Sequence, residues 1–309
     1  MNSPLANNKL VNQTLLNKKL LITGASGYLA KTLLPCAARR ANVVGIARRI
    51  DAISNATLAL AVDLTDRVAV MDVVLSQKPD AIIHCAAVNP GGSDSAMDAV
   101  NNVGTSNIAQ AARQLGCRLV SVSSDTVFNG MEAPYPDNAA ASPPKENVYA
   151  TTKACGEAHI RNLLPEAIIV RTSLIYGTDE IDRGTAGFAK RLAQGETLKL
   201  FTDVIRQPVH NKALATSLCA LALDHTSESG FINIAGDEPM SRFDFGVRML
   251  NYWGINYADQ LEQISGAGIP GVVLDASMLM HRAKALGLAT PGVSAVLGSV
   301  STGPEIAPS

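Results

Sequence analysis

From Lys18 onward, short runs of apolar and β-branched residues alternate with stretches of helical character. The runs Leu20 to Thr23, Val43 to Ala47, Leu58 to Val62, Ala81 to Cys85, Arg118 to Val122 and Ala167 to Val170 read as strands, and helices are predicted to begin near Gly27, Asp66, Ser93 and Asn147. This rhythm predicts an α/β fold, a doubly wound parallel sheet covered by helices on both faces, whose ligands sit at the carboxyl ends of the strands. After Gly177 the alternation loses regularity, which predicts a smaller C-terminal α/β domain. Some of its segments are expected to return to the main sheet around Phe231 to Ala235. The expected division is a flexible tail over 1–17, a main domain over 18–177, a second domain over 178–289 that interleaves with the main sheet, and a flexible tail over 290–309, rich in Gly, Pro and Ser.

The chain has 309 residues, 47% apolar and 17% charged, with 26 Lys+Arg against 27 Asp+Glu. It is long and apolar enough for a sizeable core, and a net charge of -1 excludes a field-driven nucleic-acid or membrane binder. No run reaches the roughly 18 apolar residues a membrane span needs, and the Asn-rich N-terminus has no signal-peptide core, so a cytoplasmic protein is expected. Cys36, Cys85, Cys117, Cys155 and Cys219 are widely spaced and read as reduced thiols. The histidines show no ligand spacing, so no metal site is predicted.

Candidate chemistry begins where the first strand runs into Thr23-Gly24-Ala25-Ser26-Gly27-Tyr28-Leu29-Ala30. Glycines in a turn that opens a helix let the backbone approach a pyrophosphate, held by helix N-terminal amides; Ala30 is the small residue at the helix–sheet contact. Gly24, Ser26, Gly27, Tyr28 and Leu29 are therefore cofactor candidates. At the end of the second strand stand Arg48 and Arg49, where an NAD-type site places an acid. Two guanidiniums offer forked donors to a 2′-phosphate, which favours NADP(H) over NAD(H). Asp63 and Leu64 follow the third strand; Asp63 reads either as an adenine contact or as a turn residue, and Asp66 as a helix cap.

Tyr149 and Lys153 lie four apart on a predicted helix and project from one face. A tyrosine acting as acid or base near neutrality needs its pKa lowered by about three, which takes roughly 4 kcal/mol and calls for neighbouring cations. Ser123 and Ser124 directly follow the fifth strand, at the edge that carries ligands. A hydroxyl there can donate to a substrate carbonyl oxygen while the Tyr149 phenol delivers the proton, and Ser124 is the residue chosen for that role.

With these residues in order, the chain resembles the extended short-chain dehydrogenase/reductases, and within them the dTDP-4-dehydrorhamnose reductase-like branch of sugar-nucleotide reductases. The resemblance runs from about Leu20 to Gly287 and rests on Thr23 to Gly27, Asp80 to Ala87, Asn102-Val103-Gly104-Thr105, Ser123 to Gly130, Ala133-Pro134-Tyr135, Tyr149 to Glu157, Val170 to Gly177 and Asn233 to Gly236. It implies a Rossmann-type NAD(P)-binding domain followed by a substrate-binding domain, and a catalytic set of Ser124, Tyr149 and Lys153. Lys153 would also hold the nicotinamide ribose, Cys85, Ala86 and Ala87 would pass under the cofactor, and Asn102 and Ser123 would stand nearby. The implied reaction is hydride transfer between nicotinamide C4 and a carbon of a nucleotide sugar. Asp125, Leu174 and Arg206 are the substrate-side candidates, Arg206 reading equally as a diphosphate grip or a structural salt bridge. Leu174 stands where rhamnose-type reductases often carry an aromatic residue, and Gly271 follows Ile269-Pro270 where relatives place an Arg-Pro pair. Homodimers are frequent among relatives.

Two other readings remain open on the sequence. An epimerase of the same superfamily would keep its cofactor bound; a dehydratase is disfavoured, because Thr126 stands where such enzymes carry an acid. A non-catalytic regulatory subunit, like that of methionine adenosyltransferase, would bind the cofactor and dock a partner.

Overall fold

The computed structural model describes residues 18–299. They divide into two interleaved compact units, one of 18–123, 151–170 and 215–231, the other of 124–150, 171–214 and 232–299.

The first unit is built on a seven-stranded sheet of order β11-β6-β5-β4-β1-β2-β3. Its strands are β1 (Lys19–Thr23), β2 (Asn42–Ala47), β3 (Leu58–Ala61), β4 (Ala81–His84), β5 (Arg118–Ser124), β6 (Ile168–Thr172) and β11 (Gly230–Asn233). β1 pairs in parallel with β2 on one side and β4 on the other, and β2–β3 and β4–β5 are parallel as well. The order therefore reverses at β1, which makes the carboxyl end of β1 the switch point where ligands of doubly wound sheets bind. Each run expected as a strand forms one, and Phe231 to Asn233 does return to the main sheet as β11.

The helices of this unit start where local chemistry allows. Helix α1 (Tyr28–Ala38) follows Gly27 with no side-chain cap, whereas α2 (Arg67–Gln77) is capped by Asp66, whose carboxylate accepts from the amides of Val68 and Ala69. Helix α3 (Asp94–Met97) runs into a π-helical turn over Asp98–Gly104 and then into α4 (Thr105–Leu115), which ends on Gly116 at φ 72°. Leu21, Ile82, Leu119 and Ile169 from the sheet meet Val70, Val74, Ile108 and Ile160 from the helices in one buried cluster.

Helix α5 (Val148–Leu163) begins in the second unit, where Asn147 Oδ1 accepts the Ala150 amide at 3.0 Å, and runs into the first. The second unit holds β7 (Ile175–Tyr176), α6 (Arg183–Ala193), β8 (Leu198–Phe201), β9 (Ile205–Arg206), β10 (Val209–His210), β12 (Met240–Ser241), α8 (Arg242–Tyr252) and β13 (Leu261–Ile264). Helix α7 (Asn211–Leu223) leads from it back to the first unit. Its strands form three two-stranded pairs, β7–β10, β9–β12 and β8–β13. Short helices α9 (His281–Ala285) and α10 (Val293–Gly298) complete it.

Part of the stretch expected to be a loose tail from 290 is thus ordered. Val293 and Val296 of α10 bury against Tyr176, Phe245, Met249 and Trp253, and that apolar burial offsets the Gly and Pro around the helix. The expected tail over 1–17 lies outside the described residues. Among the described residues, no helix is long and apolar enough to cross a membrane.

Candidate active site

In the first unit the chemistry gathers at the carboxyl ends of β1 and β4. Gly24 has φ +68°, and a Cβ there would stand 2.8 Å from the backbone of Ala86, so only glycine lets the β1–α1 turn lie against the segment after β4. Thr23 Oγ1 accepts from the amides of Cys85 and Ala86, each at 3.2 Å, and so must donate to His84 Nδ1 at 2.7 Å. His84 is then the Nε2–H tautomer, donating to Thr105 Oγ1 at 3.0 Å. Burial, reinforced by the charge of Lys153, pushes its pKa down to about 3, so the ring is a neutral strut that holds Cys85-Ala86-Ala87 in place. Burial also raises the Cys85 thiol to about 12, which leaves it inert.

Helix α1 starts from the same turn with no side-chain cap on Gly27, and an uncapped helix N-terminus is the arrangement that receives a phosphate. Arg48 and Arg49 stand exposed just past β2. Asp63 turns its Oδ1 onto the Thr65 amide and hydroxyl at 2.9 and 2.8 Å, an Asx turn that, with a smaller contribution from Arg48, holds its pKa low. Leu64 is buried, and its carbonyl accepts from Asn107 at 2.9 Å.

Lys153 is buried and donates to the Val122 carbonyl at 2.8 Å. Desolvation lowers its pKa to about 8, opposed by Glu157 one turn along the helix. Glu157 accepts from Ser123 Oγ at 2.6 Å, so Ser123 is committed to orienting that carboxylate. Asn101, one position before the asparagine singled out from the sequence, is fully buried and exchanges hydrogen bonds with both backbone groups of Val88. It also donates to Thr152 Oγ1 at 3.3 Å, linking the loop after β4 to α5. Asn102 caps its own turn on Asp98 and leaves a buried Oδ1 without a partner. A Cβ on Gly156 would meet the Asn101 carbonyl at 2.6 Å, so glycine is required where α5 packs on the π turn.

In the second unit Ser124 accepts from the Thr126 amide at 3.2 Å and shares hydrogen bonds with Thr126 Oγ1 and Asp125 Oδ1. It also hydrogen-bonds Tyr149. The sequence argument called for a lowered tyrosine; here burial pushes Tyr149 up to about 12, Asp125 adds to the rise, and the Ser124 bond and Arg206 oppose it. The phenol is accordingly protonated at neutral pH.

Asp125 and Arg206 form a two-point ion pair, Nε to Oδ2 at 2.8 Å and Nη2 to Oδ1, with side chains 0% and 10% exposed. Arg206 thus makes a salt bridge and also lines a cavity of about 260 Å³ with Thr126, Asn147, Phe201, Arg242 and Gly271. Leu174 packs instead on the Tyr176 cluster. Arg242 and Asn101 carried no motif of their own, and Glu157 entered only as the end of the run from Tyr149.

The RmlD substrate binding domain model matches residues 18–272. A dTDP-4-dehydrorhamnose reductase of Streptomyces griseus is 34% identical over 223 residues, 68% of this chain and 68% of that protein. A dTDP-4-keto-6-deoxy-D-glucose reductase of Streptomyces niveus is 34% identical over 211 residues, 65% and 67% of the two chains. The crystal structure of dTDP-4-dehydrorhamnose reductase from Bacillus anthracis in complex with NADP aligns with a TM-score of 0.75 at 23% identity, over 92% of this chain and 98% of that one, and shares its Rossmann-type fold. With the family model spanning most of its length and such relatives at about a third identity, the chain belongs to the RmlD substrate binding domain family; these two relatives are named reductases, while a methionine adenosyltransferase 2 subunit beta of Xenopus laevis is 27% identical over 263 residues, 78% of this chain and 74% of that protein.

Proposed function

We propose that the protein is an NADP(H)-dependent reductase of a ketone on a nucleotide-linked sugar, of the dTDP-4-dehydrorhamnose reductase kind. The observation that carries the reading is the pairing of the Ser124 hydroxyl with the buried Tyr149 phenol, two residues from Thr126 and Asn147, which line a cavity that also holds Arg206 and Arg242. The names of the reductase relatives and the NADP of the Bacillus anthracis structure support it.

The residues of the first unit fit a dinucleotide. The Gly24 cradle, closed to any Cβ, and the helix N-terminus of α1, which has no side-chain cap, suit its pyrophosphate, and Arg48 and Arg49 suit a 2′-phosphate. Lys153, held by Val122 and Glu157, is the residue for the nicotinamide ribose. A reduced nicotinamide supplies hydride when bound. Ser124 turns its hydroxyl from Asp125 to the substrate carbonyl oxygen, stabilising the charge that develops there. Tyr149 then delivers its phenolic proton to the same oxygen, which as an alkoxide is the stronger base.

The test is NADPH oxidation with dTDP-4-keto-6-deoxyglucose by the parent and by Tyr149→Phe. Turnover is expected in the parent and a loss of at least a hundredfold in the variant, with NADPH affinity within a few-fold. Retained turnover in Tyr149→Phe would overturn the mechanism.

A further inference from the structure

The cavity of the second unit holds an unresolved electrostatic conflict. Arg242 opens α8, and among the described residues its guanidinium makes no hydrogen bond and no ion pair, while its amide alone is used, donating to the Val204 carbonyl. The two carboxylates that face it electrostatically, Asp125 and Asp182, are already committed. Asp125 takes both its oxygens to Arg206. Asp182 caps α6, accepting from the amides of Gly184 and Thr185 with one oxygen and from the Thr185 hydroxyl with the other at 2.5 Å. Desolvation, then the neighbouring Arg206, pushes Arg242 down to about 10, which is a large departure for a guanidinium. Lys199, the other basic residue of the lining, is exposed and paired with Glu262 at 3.3 Å.

A cation that is desolvated, set beside a second cation and left without an acceptor costs stability unless a ligand supplies the missing anion. Apart from the polar Thr126 and Asn147, much of the remaining lining is apolar or aromatic, including Phe188, Leu200, Phe201 and Val204, which suits a flat base rather than a free inorganic ion. We propose that Arg242 is the residue that grips the diphosphate of a nucleoside-diphosphate ligand in this cavity, while Arg206, locked on Asp125, shapes the site and adds background charge. This assignment rests on the nucleotide-sugar reading above and adds to it which side chain sets the requirement for a diphosphate.

The test measures dTDP binding by calorimetry with saturating NADP+ present, so that the dinucleotide site is blocked, in the parent, Arg242→Gln, Arg242→Lys and Arg248→Gln. Arg248 lies on the same helix and instead contacts Ser294 and Glu238. The expected result is dTDP binding weakened at least tenfold in Arg242→Gln, partly restored in Arg242→Lys and unchanged in Arg248→Gln. Inorganic pyrophosphate should compete with dTDP in the parent and lose that ability in Arg242→Gln. Circular dichroism spectra and melting temperatures of ligand-free samples establish that the variants are folded. Binding of dTDP within twofold of the parent in folded Arg242→Gln would overturn the proposal, as would a full loss in Arg206→Gln with none in Arg242→Gln. Because these readouts need no turnover, a failure of the ketone-reduction assay with Arg242-dependent dTDP binding intact would count against the reductase reading alone.

Discussion

Replacing Arg206 by methionine removes the charge that compensates Asp125 while keeping most of the side-chain volume. Asp125 is 0% exposed and gives both oxygens to Arg206, so the variant leaves a buried carboxylate without its ion-pair partner. Breaking a buried pair from one side costs about 3–5 kcal/mol. Arg242 also acts on Asp125 electrostatically and softens the loss, which places the expectation near the lower end of that range. For a chain of 309 residues the unfolding entropy is roughly 0.65 kcal/mol per degree, so the melting temperature should fall by about 5 °C. The double variant Asp125→Asn/Arg206→Met removes both charges and should recover most of that loss, since no unpaired charge remains. Differential scanning calorimetry of parent, single and double variants reads the cycle directly. A single variant melting within about 1 °C of the parent, or a double variant no better than the single, would refute the claim that this pair is buried and mutually dependent.

Three further outcomes follow from the first unit. Gly24→Ala should weaken NADPH binding at least tenfold, measured by fluorescence titration, because its Cβ would meet the Ala86 backbone at 2.8 Å in a left-handed conformation. His84 has a folded pKa of about 3 against 6.5 unfolded, so unfolding takes up a proton between those values and stability falls as pH drops through that window, by about 1.4 kcal/mol per pH unit. Urea titrations should show His84→Gln lacking that part of the acid slope. Arg48→Ala/Arg49→Ala should raise the KM for NADPH tenfold or more while leaving that for NADH within about threefold, measured by steady-state kinetics.

The strands and the glycine turn after β1 were legible because their signals are local. β-branched runs, a Gly24–Gly27 turn and capping residues such as Asp66 each act over a few positions. Tyr149 and Lys153 were legible because helical spacing alone puts them on one face. What escaped the sequence depends on distant partners. The Asp125–Arg206 pair joins positions 81 apart, and Arg242 matters because its neighbouring carboxylates are taken by other groups. Asn101 escaped because the resemblance pointed to the run Asn102 to Thr105, whereas the buried contacts of Asn101 with Val88 and Thr152 join positions 13 and 51 apart. The rise in the Tyr149 pKa reflects burial, which a motif does not report.

The central claim is net reduction of a nucleotide-linked sugar ketone, and isotope transfer tests it most directly. With NADPH deuterated at the transferable nicotinamide C4 position and dTDP-4-keto-6-deoxyglucose as substrate, mass spectrometry and NMR of the product locate the label. The account predicts one deuterium on the former carbonyl carbon for each NADPH consumed, and no labelled product with Tyr149→Phe. A sugar product that forms without NADPH consumption, or that carries no deuterium at that carbon, would contradict it and point to an epimerase.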